Sequence, residues 1–312
     1  KLREFVGRKR LLVVDEAQYV PQVGLNLKML VDATPDLRVI ATGSSSFGLA
    51  RDTGEPLTGR KFTLQLLPFS QIEISQHEPP HETRARLETR LIHGSYPEVV
   101  TTDDLELRGR YLLELVRSYL LKDILELEGI RYSDKLLRLL QLLAHQVGSE
   151  VSASKLGRDV GMSKNTVDRY LDLLQKVFIL HRVTGFGRNL RKEITRNPRY
   201  YFVDNGVRNA LVNNFNPIAL RDDVGALWEN YIVVERMKRN HCLGASVNRY
   251  FWRTYDRQEI DLVEEHGGRL HGYEIKWSPG KGRRPGGWTS AYPDASFDVI
   301  HRENYLHYIL PD

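Results

Sequence analysis

Four consecutive apolar residues, Leu11–Val14, run directly into Asp15 and Glu16. A short unbroken apolar run of this kind predicts a buried strand over 10–16 that ends on two carboxylates. Val23, Leu27, Leu30 and Val31 recur at helical spacing and predict a helix over 22–32. "LRVIAT" at 37–42 predicts a second short buried strand, which opens into Gly43-Ser44-Ser45-Ser46. Strand, helix and strand with short links is the rhythm of an α/β unit with a parallel sheet. A third stretch, "FTLQLL" at 62–67, alternates apolar and polar and stops at Pro68.

From about 84 to 145 the period changes. Leu112, Leu113, Val116, Leu120 and Leu121 keep helical spacing, as do Leu136, Leu139, Leu140 and Leu143. Residues 150–185 carry two short helical patterns around Gly161, followed by an arginine-rich stretch and a strand-like "RYYFV" at 199–203. A helix is expected over 225–239, then strands over 247–254, 259–264 and 270–277. Boundaries fall near 78–81 and 204–224, with no internal repeat. Composition changes this picture little. Of 312 residues 41% are hydrophobic and 27% charged, as in an ordinary globular chain of two or three domains. No apolar run is long enough for a bilayer, so no membrane partner is expected. The charged opening Lys1-Leu2-Arg3-Glu4 does not read as a secretory leader, and the single Cys242 excludes an internal disulfide; both fit a cytoplasmic location. The net charge of +5 is mild. Its distribution is more informative: Arg182, Arg188, Arg191, Lys192, Arg196 and Arg199 face one acid, Glu193, and Lys276, Lys281, Arg283 and Arg284 cluster without any.

The chemistry begins at "LLVVDEAQ", 11–18. A buried strand delivers its terminal carboxylates to the sheet edge where α/β folds bind ligands. Asp15 is then the candidate for holding Mg²⁺, and Glu16 for polarising the water that attacks a γ-phosphate, as in a Walker B motif. Thr42 and Ser44, at the tip of the adjacent strand, are candidates for a polar contact to that water. Arg60, in "LTGR", is a candidate arginine finger acting across a subunit boundary, which would require an oligomer. The plainer alternatives are an acidic turn, a Ser-rich turn and a solvated arginine. No GxxxxGK[ST] occurs; Gly280-Lys281 has Ile275 where the first glycine is needed. Only ten residues precede Leu11, so the reading expects a phosphate loop upstream and little ATP hydrolysis from these 312 residues alone.

"VVDEAQ", "IATGSSSF", "LTGR" and "LLPFSQIE" within 11–76, then "HGSYPEVV" at 93–100, "RYLDLLQKVFIL", "YYFVDNGVRNAL" and "GALWENYIVVE", resemble in order a family of bacterial and archaeal AAA+-type P-loop ATPases with a C-terminal domain of unknown function. The resemblance covers nearly the whole chain and implies ATP and Mg²⁺ as cofactors. The absent phosphate loop is its one departure.

Two further constellations complete the reading. Ala153–Val160, a turn at Gly161 and a helix from Lys164 capped by Ser163 fit a helix-turn-helix, and the arginine-rich stretch would lie where a winged helix has its wing. Lys164, Asn165, Thr166, Arg169, Arg188, Arg191 and Lys192 are then the candidates for DNA contact. Such modules also serve as plain protein–protein joints. In "EID" (259–261) and "EIK" (274–276), period two puts Glu274 and Lys276 on one face, and a turn at Gly267-Gly268 would bring Asp261 beside them. Asp261, Glu274 and Lys276, with Glu229 from the preceding helix, are similar to a PD-(D/E)xK nuclease site, where two carboxylates hold a metal and the lysine activates water. An amphipathic hairpin with surface charges is the alternative.

The fold expected is α/β and multidomain: half of an AAA+-like core with a parallel sheet (1–78), a helical lid (79–130), a winged helix (131–203) and a restriction-endonuclease-like α/β domain (204–312). The function expected is an oligomeric ATPase working on DNA in repair, recombination or defence. Two alternatives stay open. One is a regulatory NTP switch whose inactive nuclease-like domain binds proteins. The other is a metal-dependent nuclease gated by the ATPase.

Overall fold

The computed structural model describes residues 6–7, 9–43, 60–120, 133–187, 197–280 and 282–311. The opening unit is β1 (Leu11–Val14), α1 (Val23–Ala33) and β2 (Arg38–Ala41), with β1 and β2 parallel and Leu11 paired with Arg38 through Val14 with Ala41. One face of this pair, carrying Val14, Val39 and Ala41, packs on Ala17, Val23 and Leu27. The other face, with Leu11, Val13 and Ile40, is exposed. The strands expected at 10–16 and 37–42 are therefore present, but they are half-covered and not buried on both sides.

The alternation at 62–67 does not form a strand. Phe62, Leu64 and Leu66 are 99%, 87% and 93% exposed. Alternation prepares a segment for pairing, and no paired strand lies alongside it among the described residues.

Short helices follow: α2 (Gln71–Ser75), α3 (Pro80–Ala85), α4 (Leu87–His93), α5 (Pro97–Thr101) and α6 (Leu105–Glu114), the last widening into a π-type turn over Leu115–Leu120. Their starts are written locally. Ser70 and Glu73 form a reciprocal capping box on α2, Pro stands in the first turn of α3 and α5, and Asp104 accepts from the Glu106 and Leu107 amides at α6. Next come α7 (Ser133–His145), α8 (Ala153–Val160) and α9 (Lys164–Lys176). Ser163 caps α9 by accepting from the Thr166 amide at 3.1 Å, and Gly161 closes α8 at φ +67°, both as the sequence predicts.

The remaining strands form a single six-stranded sheet in the order β4-β3-β5-β6-β7-β8, built from β3 (Leu180–Gly185), β4 (Arg199–Phe202), β5 (Asn248–Arg253), β6 (Glu259–His266), β7 (Arg269–Ile275) and β8 (Ser296–Ile300). The antiparallel pair β3–β4, which follows the three helices, is continuous with the last strands because β3 pairs parallel with β5 at Thr184–Tyr250 and Gly185–Phe251. The hydrogen-bonded sheet thus runs across residue 204. The β6–β7 hairpin turns on Gly267 and Gly268, both at positive φ, where a side chain would be strained. α10 (Asn205–Leu211) and α11 (Val224–Cys242) complete the core, with α12 (Gly286–Ala291) and α13 (Tyr305–Ile309) at the end. In α11, Leu227, Trp228, Tyr231, Ile232, Val233 and Val234 are all buried, so apolar residues wrap more than one face of this helix, as in a helix packed on several sides.

Two segments that the sequence singled out interlock. Asp204, buried, caps α10 through the Val207 amide at 3.1 Å and accepts from the Ser95 amide at 2.7 Å. Asn209 donates to the Leu91 and Ile92 carbonyls that end α4. "HGSYP" and "DNGVRNAL" thus form a single joint between the helical region and the sheet.

Candidate functional site

At the tip of the β1–β2 pair, Asp15 and Thr42 stand side by side. The Thr42 hydroxyl donates to Asp15 Oδ1 and accepts from the Glu16 amide at 3.2 Å. The ladder continues past the strands, with the Thr42 amide on the Val14 carbonyl and the Ala17 amide on the Thr42 carbonyl. Glu16 lies in the left-handed region at φ 48°, uncommon for glutamate, and its carboxylate accepts from the Gln18 side-chain amide. A carboxylate and a hydroxyl therefore meet at the C-terminal edge of parallel strands, the edge at which such sheets bind ligands, with Glu16 next along the chain and joined to Thr42 through its backbone amide. Asp15 and Thr42 offer oxygen donors of the kind Mg²⁺ takes. Arg60 forms an ion pair with Asp32 on α1 of its own chain. Ser44 lies outside the described residues.

On α9, Lys164, Asn165 and Arg169 are exposed. Thr166 is drawn into the helix cap, its hydroxyl 2.8 Å from that of Ser163. Arg188, Arg191, Lys192 and Lys281 lie outside the described residues. Arg284 donates to the Tyr292 carbonyl at 3.1 Å, a tie within the chain.

The hairpin brings the third set of residues together. The Ile275 amide donates to Asp261 Oδ2 at 2.8 Å, which ties β6 to the end of β7. Lys276 Nζ lies 2.9 Å from Glu274 Oε1, with Ile275 buried on the opposite face. Glu229, on α11, accepts from the Tyr201 hydroxyl at 2.7 Å. Among these acids sits Arg199 of β4, its side chain only 5% exposed. Nη2 is 3.2 Å from Glu259 Oε2; Nη1 is 3.6 Å from Glu229 Oε1 and 3.9 Å from Asp261 Oδ1. Its guanidinium lies over the Phe251 ring, 4.5 Å from the centroid. Among the described residues no three His, Cys, Asp or Glu side chains converge as a metal-holding group.

Arg199, Tyr201 and Glu259 are the residues that the sequence reading did not assign to this cluster. In the sequence Arg199 is one of the cations of the arginine-rich stretch 182–199; the structure places its side chain inward, among these acids. The strand pattern of "RYYFV" is the one available signal, because a residue within a buried strand has its side chain in the core on one face or the other. Its partners lie 30 and 60 residues further along the chain (Glu229 and Glu259), beyond the reach of any local pattern.

Burial, and then the neighbouring Asp261, push the Glu229 carboxyl up to about 8 from an ordinary 4.5; Arg199 and Tyr201 oppose this. Burial likewise raises Asp261. His93 and His181 go the other way, down to about 4 from 6.5, chiefly through burial and next through Arg108 and Arg249 respectively. The histidines make the fold more stable as pH rises from about 4 to 6.5. Glu229 keeps in the folded chain a proton that the unfolded chain has released, so its contribution falls as pH rises from 4.5 to about 8. Between pH 6.5 and 8 the histidines no longer offset it, and thermal melts across this interval should show stability declining. Glu229→Gln keeps an acceptor for Tyr201 and should flatten the decline; an equally steep slope in that variant would assign it elsewhere.

Residues 1–75 match the AAA domain family. Residues 84–217 match a domain of unknown function, DUF8612, and residues 224–297 another, DUF4143. Among curated proteins the chain is similar to an uncharacterized protein of Mycobacterium tuberculosis, 28% identical over 275 residues that make up 86% of this chain and 59% of the relative. It is also similar to an uncharacterized protein of Haemophilus influenzae, 24% identical over 82% of this chain and 62% of that one. A third such relative, from Methanocaldococcus jannaschii, is 26% identical over 72% of this chain and 53% of its own length. The chain thus spans less than two thirds of the length of these relatives. No solved structure matches it significantly. No helix among the described residues is long and apolar enough to cross a membrane.

Proposed function

We propose that the whole protein is an AAA-type ATPase that binds and hydrolyses ATP with Mg²⁺ and uses the cycle to act on DNA as an oligomer. The observation that carries the reading is the contact of Asp15 with Thr42 at the ends of adjacent parallel strands, inside the segment that matches the AAA domain. In this reading Asp15 holds Mg²⁺, whose charge would offset that of the phosphates. Thr42 fixes the Asp15 carboxylate, and Glu16 accepts the proton of the attacking water. The exposed Lys164, Asn165 and Arg169 at the start of α9 would contact DNA.

The test uses the full-length protein. Glu16→Gln should lower ATP turnover by about 10²–10⁴-fold while leaving nucleotide binding intact, the range for loss of a general base. Lys164→Ala with Arg169→Ala should leave basal turnover unchanged and remove salt-sensitive DNA binding. Full turnover in the Glu16 variant would sink the motor assignment, and unchanged DNA binding in the double variant would sink the DNA assignment.

A second reading, a nucleotide-driven switch whose C-terminal fold binds a protein, is favoured by the guanidinium of Arg199 standing among the carboxylates of the nuclease-like cluster. DNA binding absent in all variants, with turnover intact, would select it.

A further inference from the structure

Four acidic side chains gather where β4, α11, β6 and β7 meet, and each already has a partner. Glu274 is paired with Lys276 at 2.9 Å. Asp261 has one oxygen on the Ile275 amide and the other facing Arg199. Glu229 accepts the Tyr201 hydroxyl and faces the same guanidinium, and Glu259 faces its other nitrogen. The Arg199 backbone is fixed on both sides: it pairs with Val183 within the sheet and bridges to Glu150. The guanidinium is therefore held by a sheet strand and by the Phe251 ring, with almost no exposure to water.

We infer that Arg199 is the resident cation of this cluster, filling by its charge the role that a divalent metal has in a nuclease site, so that the cluster holds no such metal and the C-terminal fold works without one. A divalent ion needs several carboxylate oxygens converging on one point. Here the oxygens of Glu229, Asp261 and Glu259 turn toward a buried guanidinium, and a second cation among them would meet strong repulsion in a medium that screens poorly. The arginine also spans two segments: it comes from the part matching DUF8612, whereas Glu229 and Glu259 come from the part matching DUF4143. The pairing thus fastens those segments across the shared sheet. This inference is independent of the ATPase assignment and concerns different residues.

Mn²⁺ binding followed by electron paramagnetic resonance, without nucleotide, tests it. Any Mn²⁺ taken up by the wild-type chain should be identical in Asp261→Asn. Arg199→Gln, which leaves the acids uncompensated, should lower Tm and gain a bound Mn²⁺ that disappears again when Asp261→Asn is added. Wild-type binding lost on Asp261→Asn would overturn the inference, as would an Arg199→Gln chain that folds yet gains no Mn²⁺. If Arg199→Gln does not fold, the comparison of wild type with Asp261→Asn decides alone.

Discussion

Gly94→Ala is expected to destabilise the chain by about 4 kcal/mol, the combined effect of backbone strain at about 1–3 kcal/mol and overpacking at about 1–3 kcal/mol. Gly94 ends α4 at φ 73°, ψ −155°, a region essentially confined to glycine. A Cβ there would sit 2.0 Å from Asp204 Oδ1 and 2.4 Å from its Cγ, inside the joint that the Ser95 and Val207 amides make with that carboxylate. The side chain cannot move aside without leaving both amides buried and unpaired, at about 1–3 kcal/mol each. Chemical denaturation of Gly94→Ala, Asp204→Ala and the double variant separates the contributions. The double variant should be more stable than the sum of the two losses predicts, because the collision disappears with the carboxylate while the backbone strain remains. Simple additivity would mean that Gly94 and Asp204 do not meet.

Breaking the buried pair Arg236–Glu264 should have an effect of similar size. Arg236 Nη2 lies 2.6 Å from Glu264 Oε2 and Nε 3.0 Å from Oε1, with each side chain 8% exposed. The guanidinium also donates to the Tyr308 carbonyl and the Tyr273 hydroxyl and lies over the Tyr273 ring. One side chain thus joins α11 to β6, β7 and α13. Arg236→Met removes the positive partner and leaves Glu264 in the core with Arg249 at 3.8 Å as its remaining cation and a long contact to Asn240. The expected loss is about 3–5 kcal/mol, the range for an orphaned buried charge. Replacing both, Arg236→Met with Glu264→Leu, should recover most of it, since an apolar pair of similar volume no longer carries the desolvation cost. Thermal melts of the three variants read this directly. A single variant within about 1 kcal/mol of wild type would show that the pair contributes no more than an exposed one does.

The parts of the fold that were legible in the sequence are those whose cause is local. Four apolar residues before Asp15, the Ser163 cap and the glycine at 161 each act within a few positions, and β1, α8 and α9 lie where these signals put them. The β6–β7 hairpin was legible for the same reason, from period two and Gly267-Gly268. β8, α12 and α13 were missed because they are five or six residues long, too short for periodicity to build up. At 62–66 the alternation of Phe62, Leu64 and Leu66 stays unpaired and exposed, since alternation makes a strand only where an edge accepts it.

At the sites the division is sharper. Sequence alone determined which chemistry is present: an Asp-Glu pair closing a strand, a hydroxyl closing the next, and an Asp, Glu and Lys set on a hairpin. Only the tertiary structure decided that Thr42 fixes Asp15, and that Arg199 turns inward to meet three acids while Arg182 of the same stretch stays exposed. The physical reason is range. Helix caps, turns and alternation are set by neighbours along the chain, whereas the partner of a buried charge is whichever residue the packed sheet brings within a few ångströms, however far away it lies in sequence.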